Sequence, residues 1–84
     1  MKIIKIGAIW CPVCIVLKNN LMEFQKQNPD LRVEYIDIDD NPEVKQKYEI
    51  DDVPVIVVLD DTNNVVTKFQ GEDALNNLLK FIEK

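Results

Sequence analysis

The chain has 84 residues, of which 46% are hydrophobic and 30% charged, and its 10 basic and 15 acidic residues give a net charge of −5. This size and composition predict one globular domain, residues 1–84, with a small core. The negative charge argues against nucleic acid and anionic membrane surfaces as partners. The sequence contains no run of about 20 apolar residues, so a membrane span is not expected.

The first ten residues, MKIIKIGAIW, are largely apolar and begin near a lysine, so a secretory signal must be considered beside a strand. A second lysine, Lys5, interrupts the apolar run, and no small-residue cleavage site follows before Cys11. We therefore predict a strand that remains in the mature chain and a cytoplasmic location. In that reducing compartment a permanent structural disulfide is not expected.

The first half of the chain predicts a strand, a helix and a second strand. KIIKIGAI is rich in isoleucine, which indicates a mostly buried strand, and a helical pattern then extends from Pro12 to about Gln27. The apolar face of this helix comprises Cys14, Leu17, Leu21 and Phe24. Pro29 ends the helix because proline disfavours helical geometry in the residue before it. LRVEYIDI alternates apolar and polar residues and predicts the second strand.

The second half predicts a short helix, a hairpin and a closing helix. DNPEVKQKY starts the short helix with Asn41 as N-cap and Pro42 at the first helical position. VPVIVVLD is a β-branched run typical of a buried strand, and VVTKFQ follows the turn DDTNN as its hairpin partner. Gly71 ends that strand. The closing helix has an apolar face formed by Leu75, Leu78, Leu79 and Ile82.

The predicted order βαβαββα defines an α/β fold. Its β-α-β half requires a parallel strand pair with a right-handed crossover, and its last two strands form an antiparallel hairpin. A mixed four-stranded sheet flanked by three helices follows.

The segment WCPVC contains both cysteines of the chain, with Cys11 after the first strand and Cys14 in the first turn of the helix. Residues three apart on a helix have Cβ atoms about 5–6 Å apart, and a disulfide needs Cα atoms within roughly 4.4–6.8 Å. Free N–H groups and the helix dipole favour the thiolate at such a position without any imidazole. We expect Cys11 to be the attacking nucleophile and Cys14 the resolving thiol.

A bare CxxC pair also allows other interpretations. It could be half of a zinc site, but a structural site needs four ligands, so the metal would have to bridge two chains. It could also be two inert cysteines, or part of a binding module in which the thiols only dock a partner. The strand–CxxC–helix setting favours a redox-active pair over these alternatives.

Three segments, WCPVC, YIDIDDNPEVKQKYEI and DVPVIVVL, give the chain a resemblance to the thioredoxin family over essentially its whole length. The chain is similar to the minimal core of that fold, without the additional N-terminal strand and helix of full-length thioredoxins. The resemblance implies a thioredoxin fold, a cis peptide bond at Val53–Pro54 facing the cysteines, and reduction of protein disulfides with no bound cofactor or metal. The residues that it implies for substrate binding are Trp10, Pro12, Val53, Pro54 and Gly71. Trp10 could equally serve as core packing.

A second resemblance leads toward glutaredoxins. The Cys-Pro-x-Cys motif and the acidic turn Gly71–Asp73 resemble that subfamily, whose members bind glutathione near the cis-proline. Val13 and Val53, however, stand where glutaredoxins usually have tyrosine and threonine. We favour a thioredoxin-like reductase with disulfide-containing proteins and a reductase as partners. The chain is expected to be a monomer that receives electrons from a thioredoxin reductase or from glutathione.

Lys5 departs from the thioredoxin pattern, which usually has a buried aspartate five residues before the tryptophan. One hypothesis is a slipped register that lets Lys5 extend to solvent along its apolar stem. The other places Lys5 beneath the cysteine pair, where it would stabilise a thiolate.

Overall fold

The computed structural model of the chain describes residues 1–83 and confirms the predicted element order. In chain order the elements are β1 Lys2–Gly7, α1 Pro12–Gln27, β2 Arg32–Asp37, α2 Val44–Lys47, β3 Val55–Leu59, β4 Val65–Gln70 and α3 Ala74–Ile82. Within this part of the chain, none of the helices combines the length and apolar character needed to cross a bilayer.

The four strands form one mixed sheet in the order β2-β1-β3-β4. β1 is parallel to β2 and antiparallel to β3, and β3 is antiparallel to β4. The two central strands, β1 and β3, are covered on both faces, which explains their nearly continuous apolar sequences. The predicted mixed four-stranded sheet with three helices is confirmed.

Each face of the sheet carries its own core because successive side chains on a strand point to opposite sides. Helices α1 and α3 cover one face, and α2 packs on the other. The core under α1 and α3 contains Ile3, Leu17, Leu21, Ile56, Val58, Ala74 and Leu78. The second core contains both cysteines and the apolar residues of α2, so the cysteine pair is continuous with the packed interior.

Lys5 lies in the middle of β1, in register with Tyr35 of β2 and Ile56 of β3. Alternation along β1 directs Lys5 to the same face as Ile3, beneath α1. The side chain is only 5% exposed. The hypothesis of a slipped register with Lys5 extended to solvent is therefore wrong.

The short helix α2 begins later than the sequence predicts. Its first residue is Val44 and its N-cap is Glu43, so the prediction of Asn41 as N-cap and Pro42 as first helical residue is wrong. The preceding residues form tighter turns instead, in which the Val44 N–H donates to the Asn41 carbonyl at 3.2 Å. The Asn41 side chain is used elsewhere, since its amide donates to the Asp37 carbonyl at 3.2 Å.

Candidate active site

Cys11 is the N-cap of α1 and Pro12 is the first helical residue, as the sequence predicts. The Cys14 N–H donates to Cys11 Sγ at 3.2 Å, and the Ile15 N–H donates to the Cys11 carbonyl at 3.1 Å. A sulfur that accepts a helix N-terminal N–H is held where the helix dipole favours negative charge. The helix start thus supplies the stabilisation that a histidine would otherwise provide.

Cys14 lies one turn behind Cys11 and is the more deeply buried of the two. Cys14 is 1% exposed and Cys11 is 8% exposed, and both are free thiols. Burial raises the pKa of Cys14 to about 11, and the neighbouring Cys11 sulfur adds to the increase. The pair is therefore asymmetric, with a protonated inner thiol behind an outer sulfur that accepts an N–H bond.

The loop before β3 approaches the cysteine pair. The Val53–Pro54 peptide bond is cis, Pro54 is fully buried, and Val53 packs against the core that contains both cysteines. The Gly71 N–H donates to the Pro54 carbonyl at 2.9 Å, which joins the turn between β4 and α3 to this loop. Gly71 has a φ of +91°, a conformation that L side chains rarely adopt.

Trp10 lies on the surface rather than in the core, since 64% of it is exposed. Its indole N–H donates to the Asp39 carboxylate at 2.9 Å, which orients the ring over the segment that follows β2. Trp10 and Val53 line one groove of about 210 Å³ together with three carboxylates, Asp39, Asp51 and Asp52, and one cation, Lys45. The side of the cysteine pair next to Val53 is therefore open and acidic.

A second cavity, of about 180 Å³, lies beneath Cys14. Lys5, Gly7 and Lys18 contribute to its walls, and Tyr35 and Asp37 close it on the β2 side. A Cβ added to Gly7 would collide with Lys5 Nζ and would lie 3.2 Å from Cys14 Cβ. The absence of a side chain at Gly7 thus gives the lysine amine its place beside the helix turn that carries Cys14.

The sequence-predicted site residues divide into three groups in the structure. Both cysteines and Val53 share one core, Pro54 and Gly71 are joined by a hydrogen bond, and Pro12 and Trp10 are exposed beside Cys11. In the part of the chain that the structure describes, cysteine and carboxylate side chains form no group of three or more placed to hold a metal ion.

Sequence reasoning missed three residues around the cysteines. Lys18 could have been found, because it lies four residues after Cys14 and thus on the same side of a helix. Asp39 and Asp52 are in loops, and no periodic pattern indicates their contacts with Trp10 and with the Val53 N–H, which donates to Asp52 Oδ1 at 2.8 Å.

A dithiol at a helix start, on a parallel-and-antiparallel sheet with a proline loop beside it, defines the class of thiol–disulfide oxidoreductases. Comparison with known proteins agrees. The sequence model of the thioredoxin family matches residues 1–84. Thioredoxin of Bacillus subtilis strain 168 is 33% identical over 75 residues, which cover 86% of this chain and 72% of that protein.

Structural and more distant sequence comparisons give the same class. The oxidised form of mitochondrial thioredoxin 3 from Saccharomyces cerevisiae superposes with a TM-score of 0.84 at 26% identity, covering 96% of this chain and 74% of that one. Glutaredoxin-3 of Mus musculus is 27% identical over 65 residues, which cover 77% of this chain but only 19% of that protein.

The chain belongs to the thioredoxin family. It is a thiol–disulfide oxidoreductase that reduces protein disulfides through the Cys11–Cys14 dithiol. Members of the family perform this chemistry without a bound cofactor.

Proposed function

We propose that Cys11 attacks the substrate disulfide and that Cys14 resolves the resulting intermediate. The observation that carries this assignment is the hydrogen bond from the Cys14 N–H to Cys11 Sγ at 3.2 Å, which favours charge on the outer sulfur. The deeper burial of Cys14 supports the second role, because an inner thiol reaches the outer sulfur but not a large substrate.

The reaction consists of two thiol–disulfide exchanges. The Cys11 thiolate forms a bond to one substrate sulfur, and the other substrate sulfur leaves as a thiolate that takes a proton from solvent. Cys14 then loses its proton and attacks Cys11 Sγ, which closes the Cys11–Cys14 disulfide and releases the second substrate thiolate. The substrate gains two electrons, and the dithiol loses two.

Substrate contacts are proposed for Trp10, Pro12, Val53, Pro54 and Gly71. Trp10 and Val53 support this role because they line one open groove beside the cysteines. An extended substrate segment could pair with the Val53 backbone in the manner of an added strand. The Val53 N–H donates to Asp52 Oδ1 at 2.8 Å, so the incoming segment would take over that donor.

The electron donor that we propose is a thioredoxin reductase, and the partners are disulfide-containing proteins. The chain is 33% identical to Bacillus subtilis thioredoxin and 27% identical to mouse glutaredoxin-3, which supports this choice. A dithiol that reduces substrates is most easily returned to its reduced state in a reducing compartment, which supports a cytoplasmic location, where we expect the chain to act as a monomer.

Glutathione is the second candidate donor. The acidic turn Gly71–Asp73 favours it, because Gly71 is hydrogen-bonded to the Pro54 carbonyl and thereby brings Glu72 and Asp73 toward the loop of the cis bond. The partial match to mouse glutaredoxin-3 supports the same candidate.

The donor is tested by reducing the oxidised chain in two parallel assays, one with NADPH and thioredoxin reductase and one with NADPH, glutathione and glutathione reductase. We expect rapid NADPH oxidation only with thioredoxin reductase. Insulin precipitation under the same conditions reports substrate reduction. Rapid turnover only with glutathione would replace the proposed donor by the second candidate.

The cysteine roles are tested with Cys11→Ser and Cys14→Ser. We expect Cys11→Ser to form no mixed disulfide with a model substrate, and Cys14→Ser to form one that accumulates. Mass spectrometry of the trapped species distinguishes the two. Accumulation in Cys11→Ser instead would reverse the assignment, and bound zinc without turnover in the unaltered chain would favour a binding module.

A further inference from the structure

Lys5 is a charged residue buried in the interior next to the redox centre. It lies on the central strand β1, is 5% exposed, and extends its side chain across Gly7 toward the first turn of α1. None of the ion pairs formed within residues 1–83 involves it. A buried lysine without a carboxylate partner is costly to the fold, so its position calls for another explanation.

Cys14 lies next to the Lys5 amine. The position that a Cβ on Gly7 would occupy is in contact with Lys5 Nζ on one side and 3.2 Å from Cys14 Cβ on the other. The same cavity of about 180 Å³ is lined by Lys5 and Cys14, which gives water a route to both groups. The groove proposed for substrate lies on the other side of the pair, next to Trp10.

The charged and titratable groups that face Lys5 come from β2 and α1. They are Cys11 at the N-cap of α1, Cys14, Lys18, Tyr35 and Asp37. Burial lowers the pKa of Lys5, and the adjacent Cys14 opposes that decrease. Conversely, Lys5 opposes the increase in the pKa of Cys14 that burial causes. The two groups therefore stabilise each other in their charged forms.

We propose that Lys5 is a positioning residue for the resolving step, in which its ammonium group stabilises the Cys14 thiolate beneath the mixed disulfide. The inference rests on the proposed roles of the two cysteines. It gives Lys5 a role in the second exchange reaction and no role in the binding of substrate.

The step that Lys5 promotes is balanced without any additional reagent. Once Cys11 is joined to the substrate, the Cys14 thiol releases its proton to water in the cavity, and the lysine ammonium stabilises the anion that remains. The thiolate attacks Cys11 Sγ, the Cys11–Cys14 bond forms, and the bond from Cys11 to substrate breaks. The departing substrate thiolate takes a proton from solvent, and Lys5 keeps its own protons throughout.

The test separates the two exchanges with dithiobis(nitrobenzoate), which releases one coloured thiolate when Cys11 attacks and a second when Cys14 resolves. The variant is Lys5→Met, which removes the charge and keeps an unbranched side chain that is one atom shorter. We expect the second release to slow about tenfold or more, because the charge acts across an interior of low effective dielectric constant. The first release should change much less, and the pH profile of the second should move to higher pH.

Stability provides a readout that separates this role from a structural one. Replacing a buried, unpaired charge by an apolar side chain is expected to raise the melting temperature of the reduced protein or leave it unchanged. Lys5→Met should thus be at least as stable as the unaltered chain and yet resolve more slowly. Lys5→Arg, which keeps the positive charge, should resolve within about threefold of the unaltered rate if the charge is what matters.

The matched control is Lys2→Met, the same substitution at the exposed start of β1, where Lys2 pairs with Glu34 at 3.0 Å. Both releases should keep their rates in this variant. An unchanged second release in Lys5→Met, or equal slowing of both releases, would overturn the proposal, as would slowing in Lys5→Arg as large as in Lys5→Met. Loss of the first release in the unaltered chain would instead contradict the proposed role of Cys11.

Discussion

The two sides of the cysteine pair differ in charge, burial and the elements that form them. On the lysine side, buried Lys5 of β1 and exposed Lys18 of α1 line a cavity beneath Cys14, with Asp37 at its β2 edge. On the aspartate side, Asp39, Asp51 and Asp52 surround an open groove and are carried by loops. A buried cation therefore lies behind the inner thiol, and exposed anions line the groove that is proposed to bind substrate.

Under the proposed roles, this difference separates the chemistry at the thiols from the binding of a partner. Charges within the interior interact through a medium of low effective dielectric constant and are barely screened by salt. Charges at the surface act over about a Debye length and mainly steer and orient partners. Changes on the lysine side should consequently alter thiol ionisation and stability, whereas changes on the aspartate side should alter substrate preference.

The largest expected effect concerns the alkaline stability of the reduced protein. The pKa of Cys14 is about 11 in the fold against an ordinary value of 9.0, so the unfolded chain loses this proton first as pH rises. The contribution of the Cys14 thiol to stability is therefore complete below about pH 9 and is lost between about pH 9 and 11, a loss of about 2 to 3 kcal/mol from this group. Urea denaturation at a series of pH values measures this loss. The oxidised protein, which has no Cys14 thiol, is the control and should not show it.

In the same experiment, the titration of Lys5 changes the stability in the opposite direction. Burial lowers its pKa below the ordinary 10.5, so the unfolded chain binds this proton more tightly, and stability rises as pH increases toward 10.5. Removing this contribution in Lys5→Met should make the alkaline loss of the reduced protein steeper. An identical slope in the two proteins would contradict a lowered pKa of Lys5 in the folded protein.

The second prediction concerns Gly7, whose missing side chain leaves space for the Lys5 amine. Gly7→Ala places a methyl group against Lys5 Nζ, the end of a flexible side chain, and 3.2 Å from Cys14 Cβ, so we expect a cost at the lower end of the range for overpacking, about 1 kcal/mol. The free energy of unfolding measures it. In the Lys5→Ala background the collision is removed, so a double-mutant cycle should recover part of the loss. Additive losses would contradict the contact between Gly7 and the amine.

Substitution of the other glycine, Gly71, measures the cost of backbone strain without a steric collision. Gly71→Ala adds a methyl group that has no atom within 4 Å, but its φ of +91° is unfavourable for alanine. We expect a loss of about 1 kcal/mol that does not change in the Lys5→Ala background.

Much of the lysine side could be predicted from the sequence, because local pattern determines its elements. Proline after Cys11 and the helical spacing of Cys14, Leu17 and Leu21 were enough to locate α1 and the asymmetry of the pair. The position of Lys5 was not decided by such patterns. It depends on the register of β1 between β2 and β3, a long-range property that leaves both a buried and an exposed lysine compatible with the local sequence.

The groove on the aspartate side is much less predictable from the sequence, because loops form it. Asp39, in the acidic run DIDDNPE, accepts a hydrogen bond from Trp10, 29 residues earlier in the chain, and no local pattern indicates this contact. The start of α2 was predicted wrongly for a related reason. Asn41 has the chemistry of an N-cap, but its side chain donates to the Asp37 carbonyl, and i→i+3 turns replace the first helical turn.

The third prediction concerns substrate charge on the aspartate side. Disulfide peptides flanked by lysine should be reduced about fivefold faster than matched peptides flanked by glutamate at low salt, and the difference should shrink at high salt. Asp51→Asn and Asp52→Asn should each reduce the preference. Asp30→Asn removes the same charge from the turn before β2 and is the control. A preference that persists in high salt would assign the selectivity to something other than these carboxylates.

The smallest expected effect concerns the bond between Trp10 and Asp39. Both side chains are exposed, so Asp39→Ala should lower the free energy of unfolding by less than about 1 kcal/mol. The indole should nevertheless become more mobile and more accessible, which increases quenching of its fluorescence by neutral acrylamide. Asp40→Ala removes a neighbouring carboxylate that does not bind the indole, so it separates the hydrogen bond from the general loss of charge. Equal quenching in the two variants would mean that the bond does not orient Trp10, and the aspartate side would then act on partners through its charge alone.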